Sequence, residues 1–230
     1  MLFKELPVKL FYLLTVSAFL TVALQAQTTA EEFLERGIAR RENKQYIEAE
    51  KDFNKAVELD PKSAKAYFWR AEAQLNDEKA FADYARAIEL KPDYAMAYYK
   101  RGLRKSFTDN KAALVDYNRS IELDPTFPEA YLSRALVYLL ANNYKLAILD
   151  YTKLIELKPD GASYYVRGTA YLDSGDNVRA IADFTKSIEL DATYYWTFKQ
   201  RAKAYRNIKK FKSAQADEQK ANRIGPPKVD

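Results

Sequence analysis

Cysteine and histidine are both absent from this 230-residue chain. That excludes thiol nucleophiles, disulfides, imidazole bases and the thiolate or imidazole metal sites in one step. A lipid anchor on an N-terminal cysteine goes with them. Carboxylates and hydroxyls remain, but no nucleophile–base set, carboxylate pair or phosphate loop stands out among them, so neither an enzyme nor a cofactor site is expected. Glycine and proline are also scarce, at 6 and 8 residues, and most prolines fall at one recurring place. With 48% hydrophobic and 30% charged residues, the composition is that of a folded, soluble protein.

What is abundant is repetition. Near-identical strings occur at Val57–Pro61, Ile88–Pro92, Ile121–Pro125, Ile155–Pro159 and Ile188–Ala192, with a worn sixth copy at Asn222–Pro226. Their spacings are 31, 33, 34, 33 and 34 residues. A period of this size marks a stacked array in which each unit packs mainly on its neighbours. Each unit reads as two helices. In the fourth, Asp124-Pro125 is expected to open helix A with a cap and a first-turn proline. Asn142-Asn143 makes the turn, Tyr144–Leu157 forms helix B, and Pro159 ends it.

With that proline numbered position 32, the side chains align. Position 4 is aromatic throughout (Phe33, Tyr67, Tyr98, Tyr131, Tyr164, Phe198), and position 8 is Gly or Ala (Gly37, Ala71, Gly102, Ala135, Gly168, Ala202). Position 20 is always Ala (Ala49, Ala80, Ala113, Ala147, Ala180, Ala214). Position 24 is aromatic in five copies (Phe53, Tyr84, Tyr117, Tyr151, Phe184). Small residues let the two helices approach, and the rings fill the space between them and the next unit. Arg at position 7 and Asp at position 23 recur in all six copies. Matched opposite charges of this kind read as scaffold pairs within or between units rather than as a ligand-binding ladder.

This pattern resembles the tetratricopeptide repeat over nearly all of the chain after residue 26. The resemblance implies an all-α fold, a right-handed α-solenoid of antiparallel helix pairs. The repeats would span about 28–61, 62–92, 93–125, 126–159, 160–192 and 193–226, with a short C-terminal tail. The sequence departs from the family in the second unit, three residues short around Leu75–Lys79, and in the third, one residue short. Position 11, usually aromatic, is Arg40, Gln74 and Lys105 in the first three units but Tyr138, Tyr171 and Tyr205 in the last three. Tighter A–B turns and a less regular superhelix are therefore expected in the N-terminal half. In the last unit Gln215, Glu218 and Asn222 replace the apolar and aromatic residues of earlier copies, as a terminal cap requires, so the array is expected to end at six.

In the resembling family, partners lie along the helix A face. The corresponding positions here name a groove of Leu34, Ile38, Phe68, Trp69, Glu72, Tyr99, Lys100, Leu103, Leu132, Leu136, Tyr165, Val166, Lys199 and Lys203, with Phe107, Leu139, Leu140, Arg206 and Asn207 beyond them. That face is apolar and aromatic in the middle and basic at its end. It is expected to hold a protein or peptide segment, anchored by Phe68, Trp69, Tyr99 and Tyr165. Packing between helices is the competing explanation for several of these side chains. The Lys and Asn set with which some family members clamp chaperone tails is absent.

The charge is uneven. From Lys199 onward ten basic residues face three acidic ones, within a net charge of +5 for the chain. An acidic partner at this end is one reading, and a solvated cap is the other. A polyanion- or membrane-surface-binding protein working through this basic unit is the alternative function, although no nucleic acid is expected as partner. Asn118-Arg119-Ser120 matches a glycosylation acceptor by chance, inside a helix. At the other terminus Lys4 and Lys9 precede the apolar run Leu10–Leu24, whose length suits a signal peptide better than a membrane span of about 20 residues. Residues 1–26 are thus expected to direct export, to a periplasmic or secreted location, with cleavage after Ala26. An uncleaved segment is the alternative, and the one route to membrane contact.

Overall fold

The computed structural model describes residues 29–226. The expected signal segment and the last four residues lie outside them. Twelve helices and no strand occur among the described residues. They are α1 (29–42), α2 (Tyr46–Leu59), α3 (Ala64–Ala73), α4 (Asp77–Leu90), α5 (Ala95–Lys105) and α6 (Asn110–Leu123). The remainder are α7 (Pro128–Leu140), α8 (Tyr144–Leu157), α9 (Gly161–Asp173), α10 (Asn177–Leu190), α11 (Tyr195–Asn207) and α12 (Phe211–Ile224). No described helix is long and apolar enough to cross a membrane.

Contacts divide the chain into two compact units, through Ala97 and from Tyr98. In the first, α2 packs on α3 and α3 on α4, and Leu34 of α1 joins Phe53 and Ala56 of α2 in one cluster. In the second, consecutive helices from α6 to α12 pack on one another. Connections of three or four residues leave adjacent helices no choice but to run antiparallel.

The packing positions behave as their sizes dictate. The position 20 alanines are all buried, as are the five aromatics at position 24. A methyl group on Gly37 would sit 2.6 Å from the ring of Phe53, and one on Gly168 would sit 2.8 Å from Phe184. Tyr151 is the exception in polarity: its hydroxyl is buried and has no hydrogen-bond partner among the described residues. Burial, and then the neighbouring Asp150, push its pKa upward. The first and fifth repeats carry Phe at the same place. Tyr151→Phe is therefore expected to stabilise the protein by about 1 kcal/mol, the cost of an unsatisfied buried polar group. A urea denaturation midpoint that falls instead of rising would refute this.

All six Arg–Asp pairs form, each within its own repeat and each with two parallel bonds. Arg101 donates from Nε at 2.9 Å and from Nη2 at 2.6 Å to Asp116, and the other five repeat this fork. Each guanidinium also lies over the position 4 ring of its repeat. Its remaining nitrogen reaches helix B of the preceding repeat in four cases, at Asn54, Asn118, Thr152 and Thr185. Planar forks of this kind fix orientation as well as charge, so the ladder is scaffold.

Position 11 follows from the same carboxylate. Arg40, Gln74 and Lys105 each bind the Asp of their own repeat, at 2.8, 2.9 and 2.9 Å. In the last repeats Tyr171 and Tyr205 instead lie under the guanidinium of Arg167 and Arg201.

Two expectations need correction. The deletion in the second repeat does not tighten its A–B turn. It shortens helix A, since α3 has 10 residues against 13 in α7, α9 and α11, while the connection remains three residues long. The difference lies in backbone conformation: Lys44, Asn142, Gly175 and Lys209 turn the other repeats with positive φ, and the short second and third repeats have no such residue. Asp124-Pro125 does not open helix A of the fourth repeat either. Asp124 accepts bonds from Thr126 in a local turn, and Phe127 with Pro128 begins the helix.

Candidate functional site

The residue just before helix A decides what remains open on the helix A face. In the second and fifth repeats it is a polar cap: Ser63 accepts from the backbone of Ala66, and Asp160 from that of Ser163. In the third, fourth and sixth it is Tyr94, Phe127 or Tyr194. Phe127 and Tyr194 make no side-chain cap bond. Each of the three rings packs instead on the position 5 ring of the preceding repeat. Tyr94 lies 5.1 Å from Phe68, Phe127 4.8 Å from Tyr99, and Tyr194 5.1 Å from Tyr165, between ring centroids. Where position 5 is aliphatic (Leu34, Leu132), the next helix opens on a polar cap. Ring and ring, or aliphatic and cap, occur together at all five junctions.

This rearranges the expected groove. Leu34 and Phe68 are buried: Leu34 packs with Phe53, Ala56 and Ala66, and Phe68 with Tyr84 and the Tyr94 ring. Tyr99 and Tyr165 are half-covered in the same way, and burial raises the pKa of Tyr165. Trp69 stacks on Phe53 of the preceding repeat and meets Phe68 edge-on. Ile38, Leu132 and Val166 are partly buried against core clusters. Glu72 accepts from Tyr84 and from Arg41 of the first repeat, so its carboxylate is committed within the fold. Lys100 lies near the ring of Tyr99, and Leu103 is half-buried.

What stays open is a smaller set. Leu136 and Leu140, one turn apart on α7, are 45% and 73% exposed, and Phe107, just past α5, is 84% exposed. On α11, Lys203 is exposed and Lys199 half-exposed, and neither is in an ion pair among the described residues. Four residues apart, they share one face of the helix. Several cations of the second unit are matched. Arg134 and Arg167 hold Asp150 and Asp183, and Lys153 and Lys186 hold Glu156 and Glu189. No group of acidic residues among those described is arranged to hold a metal ion.

Known proteins with this arrangement identify its family. Tetratricopeptide repeat models match residues 30–63, 128–160 and 161–194, and a TPR repeat model matches 109–141. This chain belongs to the tetratricopeptide repeat family. The stretch between the matches, 64–108, contains the two shortened helices A. No match was found among curated protein sequences.

Solved TPR structures share the fold. One is pilF of Pseudomonas aeruginosa, with a TM-score of 0.73, 15% identity, and coverage of 89% of this chain and 95% of that one. YrrB, described as a TPR protein with an unusual peptide-binding site, gives 0.67 at 23% identity over 76% and 92%. A tetratricopeptide repeat protein of Parabacteroides merdae gives 0.59 at 24% identity over 86% and 80%. The fold class is thus all-α, of the TPR type, and such repeats make the chain a protein–protein interaction scaffold. In TPR terms, the aromatics that looked like anchors are joints between repeats.

Proposed function

We propose that this TPR protein is an exported adaptor that binds a segment of a partner protein across its helix A faces. The segment's apolar side chains would meet Phe107, Leu136 and Leu140, and its acidic end would meet Lys199 and Lys203. The observation that supports this reading most is the exposure of Phe107 and Leu140 at the same place of two consecutive repeats, with Leu136 one turn before Leu140, where apolar surface marks contact sites. Export rests on the basic and apolar pattern of residues 1–26, and no catalytic role is proposed.

The test is affinity capture from the envelope fraction of the source cell, with intact protein against a Phe107→Ala/Leu140→Ala variant. Loss of two exposed apolar anchors is expected to weaken retention at least about tenfold. Equal recovery of the same partner by both proteins would remove the surface from consideration. The N-terminal sequence of the purified protein tests export: a start at Gln27 supports it, and retention of Met1 in the cytosol refutes it.

A further inference from the structure

The last repeat has a second open feature, at the start of its helix A. A cleft of about 210 Å³ lies between the lead-in to α11 (Tyr194, Tyr195, Trp196) and the end of α12 (Ile224, Gly225, Pro226). Small-molecule sites usually run from about 300 Å³ upward, so this volume suits one or two protein side chains. Trp196 is 44% exposed, and Tyr194 and Ile224 are similarly open.

Beside this cleft a rule of the array is broken. Helix B of each of the first five repeats carries a cation and a glutamate three residues apart, and all five pairs are ion-paired: Lys55–Glu58, Arg86–Glu89, Arg119–Glu122, Lys153–Glu156 and Lys186–Glu189. In α12 the same two places hold Lys220 and Arg223. An arginine suits the carbonyl end of a helix, but two cations three residues apart repel one another. Neither is in an ion pair among the described residues. Lys220 lies over the ring of Phe198. The approach to the cleft is therefore aromatic and cationic together.

The complementary chemistry is present in the first repeat. Tyr46 and Ile47 open α2 as exposed side chains, Ile47 at 69%. Around them Glu42, Glu48 and Glu50 are exposed and in no ion pair among the described residues, and they outnumber the neighbouring Lys44 and Lys51. One ring and one aliphatic side chain set among carboxylates are what an aromatic cleft beside two cations would accept.

We propose that this protein self-associates head to tail. Tyr46 and Ile47 of one copy enter the Trp196 cleft of the next, and Glu48 and Glu50 face Lys220 and Arg223. Because the two surfaces differ, each copy keeps one of each free, and the association builds chains or rings rather than a closed twofold dimer. Trp196 lies one turn before Lys199 on α11, but the contact uses none of Phe107, Leu136, Leu140, Lys199 and Lys203, so this inference does not rest on the adaptor reading.

Sedimentation equilibrium of the purified protein tests it. The weight-average mass is expected to rise with concentration at about 0.05 M salt and to fall back towards the monomer at about 0.5 M. Trp196→Ala on one surface and Ile47→Ser on the other are each expected to weaken association at least about tenfold, with far-UV circular dichroism unchanged. Lys220→Glu/Arg223→Glu and Glu48→Lys/Glu50→Lys chains should each be monomeric alone and associate in alternation when mixed, since both contacts between unlike chains then pair opposite charges. A monomer at every concentration overturns the proposal. So does association that survives both apolar substitutions, or a mixture of folded charge-reversed chains that fails to pair.

Discussion

Replacing Asp116 by Ala is expected to destabilise the second unit by about 3–5 kcal/mol, the range for removing one partner of a buried ion pair. Asp116 is 1% exposed. It accepts both fork nitrogens of Arg101 at 2.6 and 2.9 Å and the Lys105 ammonium at 2.9 Å. Truncation leaves two cations side by side, both mostly buried, with no anion between them. The same change at Asp150 is expected to cost less. In the fourth repeat a tyrosine stands in place of Lys105, and Arg134 keeps a 2.7 Å bond to Asn118. Replacing the whole set by apolar residues, as Arg101→Met/Lys105→Met/Asp116→Leu, is expected to recover most of the loss, because the charges are then removed together. Urea titrations of the four proteins decide the matter: an Asp116→Ala loss under about 1 kcal/mol would show that the fork adds little beyond a surface pair.

Phe184→Ala is expected to be comparably damaging, at about 3–5 kcal/mol for a fully buried ring. The side chain fills the space opened by Gly168, and it packs with Leu172 and Ala180 in one cluster and with Tyr165 at 6.0 Å. Its loss leaves a cavity that α9 and α10 cannot close, because Ala180 already brings the helices together. In an array the damage is local, so amide exchange should quicken in α9, α10 and α11 before it changes in α6. Uniform loss of protection across the second unit would show that the unit unfolds as one block.

The residues that shape the helix pairs could be read from the repeats themselves. Gly168, Ala180 and Phe184 recur in kind at fixed spacing, and small-against-large packing follows from size alone. The Arg167–Asp183 type of pair was legible for the same reason, because opposite charges recurring together imply each other. The helix start in the fourth repeat was not. Asp124-Pro125 and Phe127-Pro128 are both plausible openings by local chemistry, and packing of Phe127 on Tyr99 chose between them.

The binding face was the least legible part. A side chain at position 5 points towards the face, but whether it reaches solvent depends on the lead-in of the following repeat, some thirty residues later. The signal was present, in the matching of Phe68 with Tyr94 and of Leu34 with Ser63. It becomes readable only once the two are known to touch. Phe107 and Leu140 are open because no lead-in reaches the end of helix A, and no local pattern records that.

These lead-in joints bear on how such a chain can be rearranged. A repeat cut at its closing proline is not a free-standing part, since the rings of Phe68, Tyr99 and Tyr165 are each covered by a residue that belongs to the next one. Joining the third repeat directly to the fifth would set Tyr99 beside Asp160 and strip the phenol of its cover. Joining the fourth to the sixth would press Tyr194 onto Leu132 and lose the cap as well. Recombination that kept the array intact would have to move the lead-in together with the repeat before it, so the heritable module here is shifted relative to the visible one.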